Sequence, residues 1–373
     1  MSDDTNDRSR DGGPSTAPAR AAQTRRQFLI RTAAPLAVAL AAPAIIMPRP
    51  VRAASRPLTF QGWAGAHQAN QNKAFFEPFA AKTGLEVVST NPVSLAKIKA
   101  MVDAGNVEWD LVDIASGWIL PLEQEGYLEE LPQDIVDRND MQESGALRKH
   151  CVKWYYNIGG IAYDPARTPK DKIPRTWAEF WDVEAFPGRR GLRKQPETNL
   201  EIALAADGVA ADRIFPIDVD RAFASLDKIK DHIRIWPETT SQTTQMILLN
   251  ELDYSMASAS LVAAAQKQGG SIEYIYDMPV LQGGFLGIPK GSPNKDAAIE
   301  LIRYIMSPEA QLAFSTYATA TMPMSKTAFA NLSPEARAKV PDIDNPNMIK
   351  RDDEWWGANG PEMSKRYNEW MLR

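Results

Sequence analysis

The sequence predicts an α/β protein of two lobes, each built on a mainly parallel sheet with helices on both faces. Apolar strand patterns alternate with helical patterns along the chain, and such alternation is typical of parallel sheets covered by helices. About 320 residues remain after an N-terminal leader, a length that suits two domains better than one. Glycine-containing apolar segments at 151–165 and 285–289 then predict two crossings between the lobes.

The N-terminal leader has the order of features found in an export signal. Arg25 and Arg26 are followed by an apolar run that ends at Met47. This order is typical of a twin-arginine signal, and the run is shorter than the roughly 20 apolar residues of a membrane-spanning helix. Small residues around Ala53 predict cleavage there. We therefore expect residues 1–53 to be removed and the mature protein to reach the periplasm.

The elements of the first lobe follow from local patterns. Short apolar runs predict strands, apolar residues at helical spacing predict helices, and Gly84 and Gly105 end two of those helices. The predicted elements are a strand at 58–60, a helix at 70–82, a strand at 85–88, a helix at 95–104 and a strand at 111–114. Ligands bind at the carboxyl ends of parallel strands. The residues after the first and third strands, Trp63 and 116–118, are therefore candidate contacts.

The second lobe is predicted in the same way. Thr176 and Glu179 have the spacing of a capping box and predict a helix start. The elements that follow are helices at 200–207, 219–232 and 243–251, a strand at 254–257, a helix at 260–268, a return strand at 285–289 and a helix at 297–306. Pro308 and Pro334 each follow a serine, so both predict further helix starts.

Composition excludes several classes of function. The chain has 42 basic and 47 acidic side chains; without residues 1–53 it has 34 and 43, a net charge of −9. An acidic protein of this kind is a poor candidate for nucleic-acid binding. The single cysteine, Cys151, excludes an intrachain disulfide, and we expect it to be buried. The three histidines lack metal-ligand spacing, and common catalytic motifs are missing. We expect no metal, no cofactor and no enzymatic activity.

Taken in order, several segments of the chain resemble the substrate-binding proteins of ABC importers in the spermidine/putrescine-binding family. The segments are 58–63, 109–112, 157–163, 175–181, 217–223, 288–295 and 352–356. The resemblance implies a type II periplasmic-binding-protein clamp with two hinge crossings. It also implies a monomer that captures a small solute and passes it to a membrane permease driven by an ATPase. The implied boundaries are 54–157 plus 285–325 for lobe 1, and 158–284 plus 326–373 for lobe 2.

The resemblance also implies a set of ligand contacts in the cleft between the lobes, with aromatic walls and polar partners. These residues are Trp63, Asp113, Ser116, Trp118, Tyr156, Arg193, Gln195, Trp236, Ser258, Gln282 and Trp356. The sequence departs from the polyamine pattern where acids are expected, because Gln195, Thr198 and Gly284 occupy those positions. Asp113 or Glu197 would then have to supply the negative charge.

Two hypotheses about the solute follow from these residues. One is a polyamine or other amine, held between Trp63 and Trp236 with Asp113 or Glu197 as charge partner. The other is a zwitterion or small carboxylate, such as 4-aminobutyrate, gripped by Arg193 through two parallel hydrogen bonds. Arg193 and Lys194 alternate along a strand, so only one of them can face the cleft. An exported enzyme is a third, less favoured reading.

Overall fold

The computed structural model describes residues 56–373, so the predicted signal peptide, residues 1–53, lies outside the described residues. Within that range the chain forms ten strands that share one hydrogen-bonded sheet. The strands are β1 (Leu58–Gln61), β2 (Val87–Thr90), β3 (Leu111–Ala115), β4 (Cys151–Tyr163), β5 (Arg190–Gly191), β6 (Ile233–Ile235), β7 (Tyr254–Ser258), β8 (Glu273–Gly287), β9 (Thr321–Pro323) and β10 (Ile349–Lys350).

Helices alternate with these strands, as the sequence predicts. The α-helices of the described part are α1 (Ala66–Gln71), α2 (Glu77–Thr83), α3 (Leu95–Asp103), α4 (Ile119–Gln124), α5 (Trp177–Trp181), α6 (Asn199–Ala206), α7 (Val219–Ile229), α8 (Thr240–Leu248), α9 (Ala259–Lys267), α10 (Lys295–Ile305), α11 (Pro308–Tyr317), α12 (Lys326–Ala330), α13 (Pro334–Arg337) and α14 (Asp353–Met371). A π-helical turn, Asn72–Phe76, joins α1 to α2. Among residues 56–373, no helix has the length and apolar character required to cross a membrane.

The sheet contains two sets of parallel strands. In the first set β1 pairs in parallel with β2 and β3, and in the second set β5 pairs in parallel with β6 and β7. Both sets are joined through β4 and β8, which are antiparallel to each other and pair from Cys151 with Gly287 to Tyr163 with Glu273. The first set joins β8 through β3, and the second set joins β4 through β7.

The two crossings predicted from the sequence are therefore β4 and β8. These strands have 13 and 15 residues, respectively, and are long enough to pair with both sets. Because they hydrogen-bond to each other along most of their length, the two predicted sheets become one continuous sheet. The return strand predicted at 285–289 is only the last part of β8, which begins at Glu273.

Local signals in the sequence place several helix ends correctly. Thr176 and Glu179 form the predicted capping box at α5. Ser307 and Ser333 accept hydrogen bonds from backbone N–H groups at the starts of α11 and α13. Gly84 follows α2 with a left-handed backbone at φ 73°, a conformation that costs glycine little. These ends depend on residues within one turn, so they can be read without the tertiary structure.

Cys151 is buried, as predicted, and the two tryptophans of α5 lie in or against the core. Cys151 and Trp177 have no exposed surface, and Trp181 packs partly buried against the core of the second strand set. That core also contains Phe180, Leu200 and Phe223. The side chains of these residues anchor α5, α6 and α7 together beside the second strand set.

The long C-terminal helix, α14, contacts both halves of the structure. Its first turns pack against α4, where Gly357 lies close to Leu120. Its later turns place Tyr367 and Trp370 in the core of the second strand set, beside Phe223. Thus α14 bridges the element that follows β3 and the helices around the second set. The predicted lobe boundaries remain a prediction.

Candidate ligand-binding site

The candidate site lies where the ends of parallel strands approach the crossing strands. The 3₁₀ turn Ser116–Trp118, directly after β3, packs against β8 and α14. Arg193 follows β5, and Ser258 ends β7. Ligand sites of open α/β sheets are found at such strand ends. The positions of these residues agree with the predicted location of the site.

Two tryptophans form an aromatic wall at the end of the first strand set. Trp63 follows β1 and Trp118 follows β3, and their ring centroids are 6.1 Å apart with an interplanar angle of 44°. Both rings are partly buried, which leaves part of each ring exposed. A cation against an aromatic face gains about 0.5–2 kcal/mol. This pair can therefore hold the amine end of a small ligand. Ser116, which was also predicted as a contact, is only 5% exposed. Its side chain does not form part of the aromatic wall.

A polar network connects the crossing strands to the second strand set. Asn157 on β4 pairs across the sheet with Gln282 on β8. The Ser258 hydroxyl donates a hydrogen bond to Asn157 Oδ1 at 2.7 Å, and Gln282 Nε2 donates to the hydroxyl of Thr198. The predicted contacts Ser258 and Gln282 are thus brought together in the structure. Sequence reasoning did not include Asn157 in the site, although that residue lies in a segment that carries the family resemblance.

Arg193 and Lys194 face different environments, although both lie beyond the two-residue strand β5 and so do not alternate along a strand. Arg193 is partly buried, its Nη2 donates to the Glu238 carbonyl at 3.2 Å, and its Nε is buried without a hydrogen-bond partner. Burial lowers the pKa of this guanidinium and Glu197 opposes that shift, but an arginine stays charged at neutral pH. The Lys194 side chain is 47% exposed. Arg193 is therefore the inward cation of the pair.

A second guanidinium, Arg351, belongs to the same region but was not predicted. Its carbon Cζ lies 5.0 Å from the centre of the Trp356 ring, and its Nε is also buried without a partner. Its positive charge contributes to lowering the pKa of Arg193. It follows the two-residue strand β10, which is too short to recognise by pattern. The one signal that could have found it is its position next to the matched segment 352–356.

Trp356 supports this arginine from beneath. The indole has no exposed surface, and its Nε1 donates to Glu201 Oε1 at 2.7 Å. We therefore revise its predicted role from a ligand contact to a support for Arg351. Glu201 has no exposed surface either, and its Oε2 has no partner. Burial raises the pKa of Glu201 to about 7, although the nearby Arg351 charge opposes the rise.

Two other residues predicted for the second lobe lie beside this cluster. Gln195 donates from Nε2 to the Glu197 carbonyl at 3.1 Å, so its amide orients the loop ahead of α6. Trp236 is partly buried and packs edge-on against Trp370, with ring centroids 5.8 Å apart. The structure thus uses Trp236 to dock α14, and it is not paired with the tryptophans of the first strand set.

Asp113 is not available as the charge partner of an amine. It has no exposed surface and accepts hydrogen bonds at 3.3 Å from both Gln71 Nε2 and Trp154 Nε1. His67 Nε2 lies 3.5 Å from the same carboxylate. These partners satisfy the carboxylate inside the protein, which corrects its predicted role as a ligand contact. Sequence reasoning failed here because these partners lie on α1 and β4, two segments that are distant from Asp113 in the chain.

Tyr156 is likewise turned away from the site. Its side chain is buried, and its hydroxyl donates to Glu143 Oε2. Burial and the Glu143 carboxylate raise the pKa of this phenol well above its usual range. The adjacent Tyr155 points to the opposite face of β4, beside His67 and Trp154. The two neighbouring rings thus lie on opposite faces of β4, and the predicted role of Tyr156 as a ligand contact is corrected.

Gly284, where polyamine binders carry an acid, leaves space for the Tyr155 ring. A Cβ added to Gly284 would overlap that ring. We expect Gly284→Ala to lower the free energy of unfolding by about 1–3 kcal/mol, the usual cost of overpacking, as measured by urea denaturation. Gly145→Ala is the matched control, because a Cβ there meets no atom within 4 Å. Equal stability of the two variants would contradict this account.

Two features beside different strand sets have different ligand preferences. Two guanidinium groups with unpartnered Nε atoms lie beside the second strand set, and a tryptophan pair lies beside the first. Guanidinium groups bind carboxylates with good geometry, and aromatic faces attract cations. Within residues 56–373, no group of three histidine, cysteine or acidic residues could hold a metal ion.

Comparison with known proteins identifies the family of this chain. The family model of bacterial extracellular solute-binding proteins matches residues 74–342. The gamma-aminobutyric acid-binding protein of Pseudomonas aeruginosa is 33% identical over 332 residues, which cover 86% of this chain and 93% of that protein. The spermidine/putrescine-binding periplasmic protein of Escherichia coli is more distant, at 20% identity over 281 residues, which cover 66% of this chain and 76% of that protein.

Solved structures give the same result for the fold. An ABC transporter substrate-binding protein from Bradyrhizobium japonicum is 33% identical, with a TM-score of 0.80 over 85% of this chain and 100% of that chain. The Atu4243 GABA receptor is 30% identical, with a TM-score of 0.77 over 85% of this chain and 98% of that chain. These likenesses confirm the predicted type II periplasmic-binding-protein fold. The chain belongs to the bacterial extracellular solute-binding proteins and is the solute-binding component of an ABC transporter.

Proposed function

We propose that this protein binds a small zwitterion that carries one carboxylate and one amine, of the size of 4-aminobutyrate. The observation that carries this proposal is the pair of partly buried guanidiniums, Arg193 and Arg351, whose Nε atoms lack partners. A carboxylate would complete their hydrogen bonds and offset their mutual repulsion. The 4-aminobutyrate specificity named for two similar proteins supports the same class of solute.

A polyamine suits this site less well. Two like charges at about 5 Å repel by roughly 3 kcal/mol at the effective dielectric constant of such a site. A polyamine would add further positive charge near Arg193 and Arg351, where Glu197 supplies a single negative charge. Asp113, its expected charge partner, is already satisfied by Gln71 and Trp154. The zwitterion hypothesis is therefore favoured over the polyamine hypothesis.

The proposed orientation follows from the two ends of the site. The carboxylate lies between Arg193 and Arg351, and the ammonium group lies against Trp63 and Trp118. The polar side chains of the crossing strands lie between these ends. Closure around the solute would bring the first and second strand sets together about the crossing strands, because β8 pairs with β3 and β4 pairs with β7.

The cellular role extends this binding function. We propose that the chain is exported by the twin-arginine pathway, acts in the periplasm as a monomer, and delivers its solute unchanged to a permease driven by an ATPase. The arginine pair of the leader supports this route. Family membership supports the transporter partner and a binding role without catalysis.

Isothermal titration calorimetry with a matched set of ligands tests the proposed function. The set is 4-aminobutyrate, butyrate, butylamine, putrescine and spermidine, with protein refolded from denaturant to remove any bound solute. We expect a Kd near 1 μM, or about −8 kcal/mol, for 4-aminobutyrate. The ligands that lack either charged end should bind at least about tenfold more weakly. Tight binding of putrescine or spermidine without binding of 4-aminobutyrate would overturn the proposal.

A further inference from the structure

Glu201 is a buried acid next to the proposed carboxylate subsite. It belongs to α6 and has no exposed surface, and its Oε1 accepts the indole N–H of Trp356 at 2.7 Å. Its Oε2 has no hydrogen-bond partner. Trp356 contacts both charged groups, because its indole N–H bonds to this carboxyl group and the guanidinium of Arg351 lies over its ring. Glu201 is thus placed to act on Arg351 without touching the solvent.

The charges around the subsite depend on the state of this acid. Arg193 and Arg351 contribute two positive charges, and Glu197 contributes one negative charge. With Glu201 ionised the four groups sum to zero, and with Glu201 neutral one positive charge remains. The state with neutral Glu201 carries one positive charge, which the single negative charge of a ligand carboxylate would balance. An anion bound between the arginines would also repel an ionised Glu201 and offset the attraction of Arg351 for it.

Other charged groups packed around α6 are engaged elsewhere. On α7, Arg221 and Lys228 pair with Asp207 at the end of α6. The two acids of α7 are bound to α14: Asp227 accepts a hydrogen bond from Trp370, and Asp220 pairs with Arg366. On α5, Glu179 caps its own helix. The charges acting on Glu201 are Arg351, which lowers its pKa, and Glu197, which raises it.

We propose that Glu201 is a positioning residue that takes up a proton when a carboxylate binds between Arg193 and Arg351. This inference rests on the proposed function. Burial raises the pKa of the free Glu201 to about 7, and a bound anion raises it further. The bound state therefore holds more protons than the free state around neutrality. By linkage, affinity for the carboxylate falls as pH rises through 7.

Calorimetry of 4-aminobutyrate binding between pH 5.5 and 8.5 tests this coupling. Titrations in buffers with different ionisation enthalpies measure the protons exchanged. In the unmodified protein we expect uptake of roughly half a proton near pH 7, and a Kd that rises about tenfold from pH 6 to pH 8. A pH-independent Kd with no proton uptake, in a protein that binds 4-aminobutyrate, would overturn the inference and leave the proposed function standing.

Two variants locate the proton. Glu201→Gln keeps an acceptor for Trp356 and should bind with a Kd that no longer changes between pH 6 and 8, close to the low-pH value of the unmodified protein. His67→Gln is the control, because it removes a different ionisable side chain, which lies beside Asp113. Loss of the pH dependence in His67→Gln, with its retention in Glu201→Gln, would overturn the inference. Absence of 4-aminobutyrate binding at every pH would overturn the proposed function as well.

Discussion

Replacement of Arg193 by methionine is expected to weaken 4-aminobutyrate binding by about 100-fold. Removal of one partner from a buried, hydrogen-bonded charge pair costs about 2–5 kcal/mol, and 2.7 kcal/mol corresponds to a factor of about 100 in Kd. Methionine keeps most of the length and apolar character of the arginine stem. The measurement is calorimetric titration of Arg193→Met at pH 6, with its melting temperature as a check on folding.

Lys194→Met provides the matched control for this prediction. Lys194 is the next residue, its side chain is 47% exposed, and its Nζ lies 3.6 Å from Glu238 at the surface. Exposed ion pairs contribute about 0–1 kcal/mol. We expect the Kd of Lys194→Met to stay within about threefold of the unmodified protein. An equal loss of affinity in both variants would show that Arg193 acts through general charge and not through a direct grip.

The second large effect concerns stability. Lys153 on β4 is 6% exposed, its Nζ lies 3.0 Å from Asp353 Oδ2 at the start of α14, and it also pairs with Glu143. The two acids offset the cost of burial and raise the pKa of Lys153. We expect Lys153→Met to lower the free energy of unfolding by about 3 kcal/mol, because two acids lose a buried partner. Urea denaturation followed by tryptophan fluorescence measures this change.

Lys149→Met is the control for the buried contacts of Lys153 with Glu143 and Asp353. Lys149 lies 3.5 Å from Glu130, and both side chains are more than 60% exposed. Its replacement should change the free energy of unfolding by less than about 1 kcal/mol. A change of similar size in Lys153→Met would mean that Glu143 and Asp353 are rehydrated at little cost once the lysine is gone. That result would also argue against a structural role for this link between β4 and α14.

The part of the fold that could be predicted depends on short-range patterns. Strands β1 and β3, the helix that contains α1 and α2, and the caps at Thr176, Ser307 and Ser333 were all predicted correctly. In each case the signal and its structural effect lie within a few residues. Most of β8 was missed because the segment before Gly283 contains no clear alternation. Its strand conformation depends on pairing with β4, more than 100 positions away in the chain.

Helix α14 was missed for a different reason. Gly357, Gly360 and Pro361 lie within the helix, and each of these residue types disfavours a helix interior. Tertiary packing overrides these preferences. The Gly357 backbone approaches Leu120 so closely that a Cβ would overlap that side chain, while Tyr367 and Trp370 are buried against the second strand set.

For the candidate site, too, the sequence did not reveal contacts between distant segments. Strand alternation predicted that only one of Arg193 and Lys194 would face inward. Their side chains do differ in exposure, but both residues lie beyond β5, so alternation along a strand is not the cause. The roles of Asp113, Tyr156 and Trp356 could not be predicted, because each depends on a partner from a distant segment. Arg351 was missed because its importance arises only when β10 pairs with β8 and sets it over Trp356.

The sequence by itself determined the family, the alternation of strands and helices and the two crossings, and it predicted a site at the strand ends. These properties follow from residue patterns of short range. Only the tertiary structure decided which charged side chains are satisfied internally and which retain unpartnered groups. Asp113 belongs to the first group and Arg193 to the second. The sequence does not reveal this, because burial and hydrogen bonding are set by contacts between segments far apart in the chain.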